Sequence, residues 1–236
     1  MLNKLKKDLE KVADSKQAKI FQKFFKTGAG EYGEGDIFLG IKVPVTRQII
    51  SNYELDLEQI QNLLNSKIHE HRLAALVSLI KKYKEGNKIE RGGIFNFYLA
   101  NAKRINNWDL VDISAPQIVG DYLLENPGIK NILKKLAKSK NIWERRISII
   151  STFAFIRKEK FSEDVLSISA ELLGDSEDLI HKAVGWMLRE LGKRDRESLK
   201  CFLRMNCKKM PRTMLRYAIE KFEAEERKKW LKGEFN

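Results

Sequence analysis

The chain has 236 residues, 43% of them hydrophobic and only 4 proline, a composition that can bury a sizeable core and contains no low-complexity run. Lysine and arginine (45) outnumber aspartate and glutamate (32), and the resulting formal charge of +13 runs along the whole chain, favouring a polyanionic partner whose neutralised phosphates release counterions. No apolar run approaches the roughly 20 residues of a spanning helix, and the N-terminus lacks the apolar core of a signal peptide, so a cytoplasmic protein without membrane contact is expected.

In chain order, Leu2, Leu5, Leu9 and Val12 recur at three and four and predict an amphipathic helix. Ala18, Ile20, Phe21, Phe24 and Phe25 predict a second, with Asp14 and Ser15 as caps between them. Residues 27–36, Thr-Gly-Ala-Gly-Glu-Tyr-Gly-Glu-Gly-Asp, carry four glycines in ten and cannot be helical. Followed by Ile37 to Ile41, they read as a glycine-rich loop or a short β-hairpin. They are not a phosphate-binding loop, because no Gly-Lys-Ser or Gly-Lys-Thr follows.

Helices resume at Pro44, a good first-turn residue, over 44–53, 56–65, 68–84, 88–103, 106–124, 127–138, 142–157, 160–173, 177–191, 195–206, 210–222 and 224–232. Pro116 must break or kink the 106–124 helix, with Ser114 or Asp112 as a cap for its second piece. Helix pairs recur about every 35 to 40 residues. A pair cannot bury its apolar face alone, so neighbours must stack. The predicted fold is all-α, a HEAT-like-repeat α-solenoid of antiparallel helix pairs forming one domain over 1–236.

His69 and His71 are two apart and point in different directions on a helix, and with His181 they give no metal-ligand set. Cys201 and Cys207 share one helical stretch and fit a reducing compartment. No metal and no cofactor are expected.

Three stretches carry chemistry. In Asn106-Asn107-Trp108-Asp109-Leu110-Val111-Asp112, a rotation of about 100° per residue puts Trp108 and Asp112 one turn apart on one face. A carboxylate beside an indole at the edge of an apolar stripe asks for a cation or a function, unless it is a solvated first-turn carboxylate stabilised by the helix dipole. In the 142–157 helix, Arg146 falls inside the apolar stripe and Arg145 outside it. Arg146 then either pairs with an acid, for which Asp112 is the candidate, or lays its stem over the core and snorkels. In the 177–191 helix, Trp186 projects roughly 130° from the stripe's centre, either to pack on the next repeat or to serve as a stacking platform. Gly185 beside it permits close approach of backbone or ligand.

Phe38-Leu39-Gly40-Ile41-x-x-Pro44-x-x-Arg47, Asn107-Trp108-Asp109-x-Val111-Asp112, Asn141-Ile142-Trp143-x-x-Arg146 and Lys182-Ala183-x-Gly185-Trp186-x-Leu188-Arg189-Glu190 resemble the bacterial AlkD-type DNA glycosylases, the HEAT-like-repeat family of DNA alkylation repair proteins. The likeness runs from about Phe21 to Phe222. It implies metal-independent hydrolysis of the N-glycosidic bond of N3- or N7-alkylated purines in double-stranded DNA, gripped in a basic concave face without drawing the base into a pocket, by a nucleoid-associated protein; a solenoid with capped ends can work as a monomer. Carried over, Asp112 stabilises the oxocarbenium-like sugar and orients water, Trp108 and Trp186 flank the deoxyribose, and Arg146 holds the carboxylate or a phosphate.

The 27–36 segment is longer than the connector of the characterised glycosylases and is similar to a hairpin insertion in sister groups that bind branched DNA. A non-catalytic binder of branched DNA is therefore the alternative, and a scaffold for an acidic protein a third. Arg145, Lys182, Arg189, Lys208, Lys209, Arg212 and Arg216 are the candidate phosphate contacts, each otherwise a solvated surface charge.

Overall fold

The computed structural model describes residues 1–160 and 162–234. Residue 161, inside the helix expected over 160–173, lies outside the described residues. The chain is all-α and divides into two compact units, Met1–Ser114 and Ala115–Asn236. No helix among the described residues is long and apolar enough to cross a membrane.

The first unit holds α1 (Leu2–Glu10), α2 (Ser15–Phe24), α3 (Val43–Ile50), α4 (Leu57–Leu64), α5 (His69–Glu85), α6 (Lys88–Ala100) and, up to its last residue, α7 (Trp108–Ala115). Three helix starts in this unit are set by side chains that satisfy free amides. Asp14 accepts from the amides of Lys16 and Gln17, while Asp56 with Gln59 and Asn87 with Glu90 form capping boxes for α4 and α6. α5 is the central element, packed by α3, α4 and α6. Leu73, Ala74, Ala75, Leu76 and Leu79 are all at most 2% exposed, so the middle of α5 is apolar nearly all round, as a segment covered on every side must be.

The second unit holds α8 (Asp121–Glu125), α9 (Ile132–Ala137), α10 (Ile142–Arg157), α11 (Ser162–Glu171), α12 (Asp178–Gly192), α13 (Arg196–Asn206), α14 (Arg212–Ala218) and α15 (Ala224–Lys232). Here α10 takes the central place, contacted by α8, α9, α11 and α12, and α12 packs in turn on α13 and α14. Each unit is thus a stack of neighbouring helix pairs, the repeat architecture predicted from the apolar periodicity.

Two expectations take a definite form. Pro116 divides the 106–124 helix: α7 ends at Ala115, a π-helical turn spans Pro116–Gly120, and α8 follows. Neither Ser114 nor Asp112 caps the second piece, which has no side-chain cap; the Ser114 hydroxyl instead donates to the Leu110 carbonyl at 2.5 Å. The glycine-rich segment takes the loop form. It folds on itself through Gly28 and Gly30 amides donating to the carboxylates of Glu31 and Glu34, and its strand-like pairing among the described residues is the single parallel bridge Ile37–Ile68.

Candidate active site

In the first unit, α7 carries Trp108 and Asp112. Asn107 is fully buried ahead of it, and its side-chain oxygen accepts from the Trp108 amide at 2.8 Å. Trp108 is half-buried: its indole stacks on Phe25 at 5.2 Å and meets Phe24 edge-on at 5.8 Å. Asp112 follows one turn later, half-buried, in the body of α7 and not at a helix end, so the reading as a dipole-stabilised first-turn carboxylate does not apply to it. That first-turn position belongs to Asp109. The Asp112 charge reaches Tyr98, whose buried hydroxyl is 2.8 Å from Ser114 Oγ; desolvation chiefly, opposed by the Ser114 bond and aided by Asp112, raises the phenol's pKa.

Beneath Trp108 lies a buried ionic network that the sequence analysis missed. His69, at the start of α5, has Nε2 2.8 Å from Asp109 Oδ2 and Nδ1 3.3 Å from Asp36 Oδ2, with Phe38 stacked on its ring at 4.4 Å. Arg72 Nη2 approaches the same Asp36 oxygen at 2.6 Å, an ion pair without aligned hydrogen-bond geometry, and Asn107 Nδ2 lies 3.5 Å away. Burial alone would push the imidazole down, but the charge and hydrogen bond of Asp109 and the bond to Asp36 hold its pKa up to about 9. Burial likewise pushes the Asp36 carboxyl up, and His69 and Arg72 more than reverse it, leaving it lowered. The glycine-rich segment, through Asp36 at its end, is therefore tied to both α5 and the α7 start. The available signal was His69-Glu70-His71-Arg72, four polar residues placed directly before an apolar run. A polar stretch with no solvent face needs partners.

Glu70 completes the tie. Its carboxylate accepts from the amides of Leu39, Gly40 and Ile41 at 2.9, 2.8 and 3.1 Å. Gly40 has φ +84°, and a Cβ there would lie 2.2 Å from the Asp14 carbonyl oxygen. His71 points elsewhere, Nδ1 3.0 Å from Ser66 Oγ, and burial, aided by Lys6 and Arg72, pushes its pKa down to about 4.

In the second unit, α10 and α12 carry Arg146 and Trp186. Arg146 is 4% exposed, and its Nη1 donates to the Leu179 carbonyl at 2.7 Å, binding the body of α10 to the first turn of α12. The half-buried Trp186 lies 5.7 Å from the Phe153 ring of α10. Gly185 serves backbone packing, since a Cβ would come within 2.5 Å of Tyr217 Cβ and 2.6 Å of the Met214 carbonyl oxygen on α14.

The candidate phosphate contacts separate by their partners. Arg145 is already partnered: its Nε is 2.6 Å from Asp175 Oδ2, and its Nη1 donates to the carbonyls of Ser139 and Lys140 at 3.0 and 3.1 Å. Lys182 pairs with Asp178 at 2.7 Å, and Arg189 pairs with Glu190 at 3.3 Å and with Glu220. Lys208, Lys209, Arg212 and Arg216 are exposed around the α13–α14 turn, Arg212 donating to the Leu231 carbonyl at 2.7 Å.

A family model described as DNA alkylation repair enzyme matches residues 5–222. The chain belongs to that family. Among solved structures, a predicted DNA alkylation repair enzyme from Enterococcus faecalis aligns with a TM-score of 0.70 at 14% identity, covering 90% of this chain and 97% of the other. The crystal structure of smu.31 from Streptococcus mutans UA159 aligns at 0.53 and 19% identity, covering 77% and 92%. At such identities the likeness is one of fold. No curated protein matches the chain significantly. Membership makes DNA alkylation repair the chain's broad role and DNA its partner.

Proposed function

We propose that the chain is a DNA N-glycosylase that binds double-stranded DNA on a basic face and excises N3- or N7-alkylated purines as a monomer, without metal or cofactor. The observation that carries this reading is the pairing of Trp108 and Asp112 one turn apart in the body of α7, with Asp112 held half-buried and not used as a cap. Alkylation leaves the purine positively charged, so the glycosidic bond breaks with its electron pair going to the base nitrogen. The sugar becomes oxocarbenium-like. A fixed carboxylate beside that developing charge stabilises it by several kcal/mol and orients the water that adds to C1′ and gives up its proton. Trp108 and Trp186 supply aromatic faces for the charged sugar, and Arg146 holds the carboxylate or an adjacent phosphate. Lys208, Lys209, Arg212 and Arg216 are the phosphate contacts the surface favours, with Lys182 and Arg189 available by exchanging an acidic partner for phosphate.

The test is release of methylated bases from randomly methylated duplex DNA by the wild type and Asp112→Asn. We expect release that falls at least about 100-fold in the variant. DNA binding without release by either protein would overturn the glycosylase reading and leave a non-catalytic DNA-structure binder.

A further inference from the structure

The indole of Trp108 is the least buried of four rings in mutual contact within the first unit. It stacks on Phe25 at an interplanar angle of 23°, Phe25 stacks on Phe38 at 4.9 Å and 16°, and Phe38 stacks on the imidazole of His69 at 22°. Phe25 also meets His69 directly, at 5.3 Å. Phe25, Phe38 and His69 are all buried, and Phe21 stands edge-on to both phenyl rings at 6.0 and 5.8 Å.

Two routes therefore run from His69 to Trp108. One is the ring cluster. The other passes through the backbone, because His69 Nε2 holds the carboxylate of Asp109, the residue that follows Trp108 in the first turn of α7. Both routes end at the same side chain.

The charged groups around the imidazole come from four segments. Asp109 reaches it from α7 and Asp36 from the glycine-rich segment, Glu70 and Arg72 stand beside it on α5, and Lys42 lines the adjoining cavity from the segment leading into α3. Glu70 is taken up by the amides of 39–41, Arg72 pairs with Asp36, and Lys42 is exposed, so water screens it. Asp109 and Asp36 are left as the acids the imidazole serves. A neutral ring has one N–H for these two acids, so losing the proton sets a ring nitrogen lone pair against a carboxylate and removes the positive charge that favours the Phe38 face. An apolar core could hold the start of α7 without any of this; an ionic network adds one fixed geometry, and it adds it next to Trp108.

We propose that protonated His69 is a positioning residue that fixes the Trp108 indole for the substrate sugar, so that base release depends on the imidazolium although the buried ring touches no substrate. The inference rests on the glycosylase reading of the Trp108–Asp112 site.

The test uses the full chain labelled with 5-fluorotryptophan, whose Trp108 fluorine resonance is assigned by its loss in Trp108→Phe. It is read beside single-turnover base release from methylated duplex DNA at saturating protein, for the wild type and for His69→Arg, which keeps a permanent cation between the two acids. The Trp108 resonance should move with a midpoint near pH 9 in the wild type and stay still in His69→Arg. The ratio of wild-type to His69→Arg release should fall at least about fivefold from about pH 7 to pH 10, and taking the ratio cancels the titration of the methylated base. If His69→Arg does not fold, nitrogen-15 labelling of the wild-type histidines replaces it, and one of the three imidazoles must titrate with the midpoint of Trp108. A Trp108 resonance that does not move, moves equally in His69→Arg, or follows no imidazole would overturn the proposal. So would a constant release ratio, which leaves the glycosylase reading intact. Absence of release from both proteins sinks the glycosylase reading, and the fluorine titration then still decides whether His69 sets Trp108.

Discussion

The imidazole of His69 bridges two carboxylates from opposite sides, Asp109 Oδ2 at 2.8 Å from Nε2 and Asp36 Oδ2 at 3.3 Å from Nδ1. Only the doubly protonated ring can donate to both, and its pKa of about 9 keeps it in that form at neutral pH.

This sets the pH dependence of stability. A folded-state pKa of about 9 against 6.5 for the free side chain means that the stabilisation is fully present below pH 6.5 and is lost as pH rises to about 9, a change on the order of 3 kcal/mol. His71 has the opposite sign: its folded pKa of about 4 makes its contribution complete above pH 6.5 and lost as pH falls toward 4. Urea unfolding across this range should show greatest stability near pH 6.5. His69→Gln should be destabilised at pH 6.5 and lose the decline on the alkaline side; an unchanged alkaline slope would remove His69 as its cause.

Asp36→Asn should act on the same network from the glycine-rich side. It removes the negative charge shared by His69 and Arg72 and leaves a buried guanidinium without its ion pair, a change worth about 3 kcal/mol or more. Thermal unfolding measures it. If the segment's role were only to touch DNA, the melting temperature would stay at the wild-type value.

Gly40→Ala should be among the most damaging single-methyl additions in the chain. The residue sits at φ +84°, and the new methyl would lie 2.2 Å from the Asp14 carbonyl oxygen and 2.6 Å from the Ala18 nitrogen. Backbone on both sides cannot yield as a side-chain tip would. A loss of several kcal/mol in denaturant unfolding is expected.

Lys208→Ala combined with Lys209→Ala should lower DNA affinity uniformly across sequences and reduce the slope of log affinity against log salt by about 2. Arg145→Ala should instead lower stability, because it releases Asp175, which is held 2.6 Å from Arg145 Nε. Fluorescence anisotropy at several salt concentrations separates the two behaviours. A slope left unchanged by the lysine pair would place the DNA elsewhere.

The helices were legible because their signals are local. Asp14, Asp56 and Asn87 cap within three residues of where they stand, Pro116 interrupts its own turn, and the apolar period belongs to each helix alone. The network was not legible, because Asp36, His69 and Asp109 are separated by 33 and 40 residues and meet only after α2, α5 and α7 have packed. The same limit hid the partner of Arg145. A helical wheel shows that it leaves the apolar stripe, but not that Asp175 waits there. The partners that hold Trp108 and Arg146 in place likewise come from distant segments.

Glu70 gives the first unit a particular order of assembly and disassembly. Its carboxylate accepts three consecutive backbone amides from 39–41, and Leu39 in turn receives the Asp14 amide that opens onto α2. Lifting this strap would strand a buried anion, so it should not fray independently as exposed connectors do. The beginnings of α2 and α5 should exchange their amide hydrogens as one cooperative block, with the exposed residues 28–31 before the strap exchanging faster.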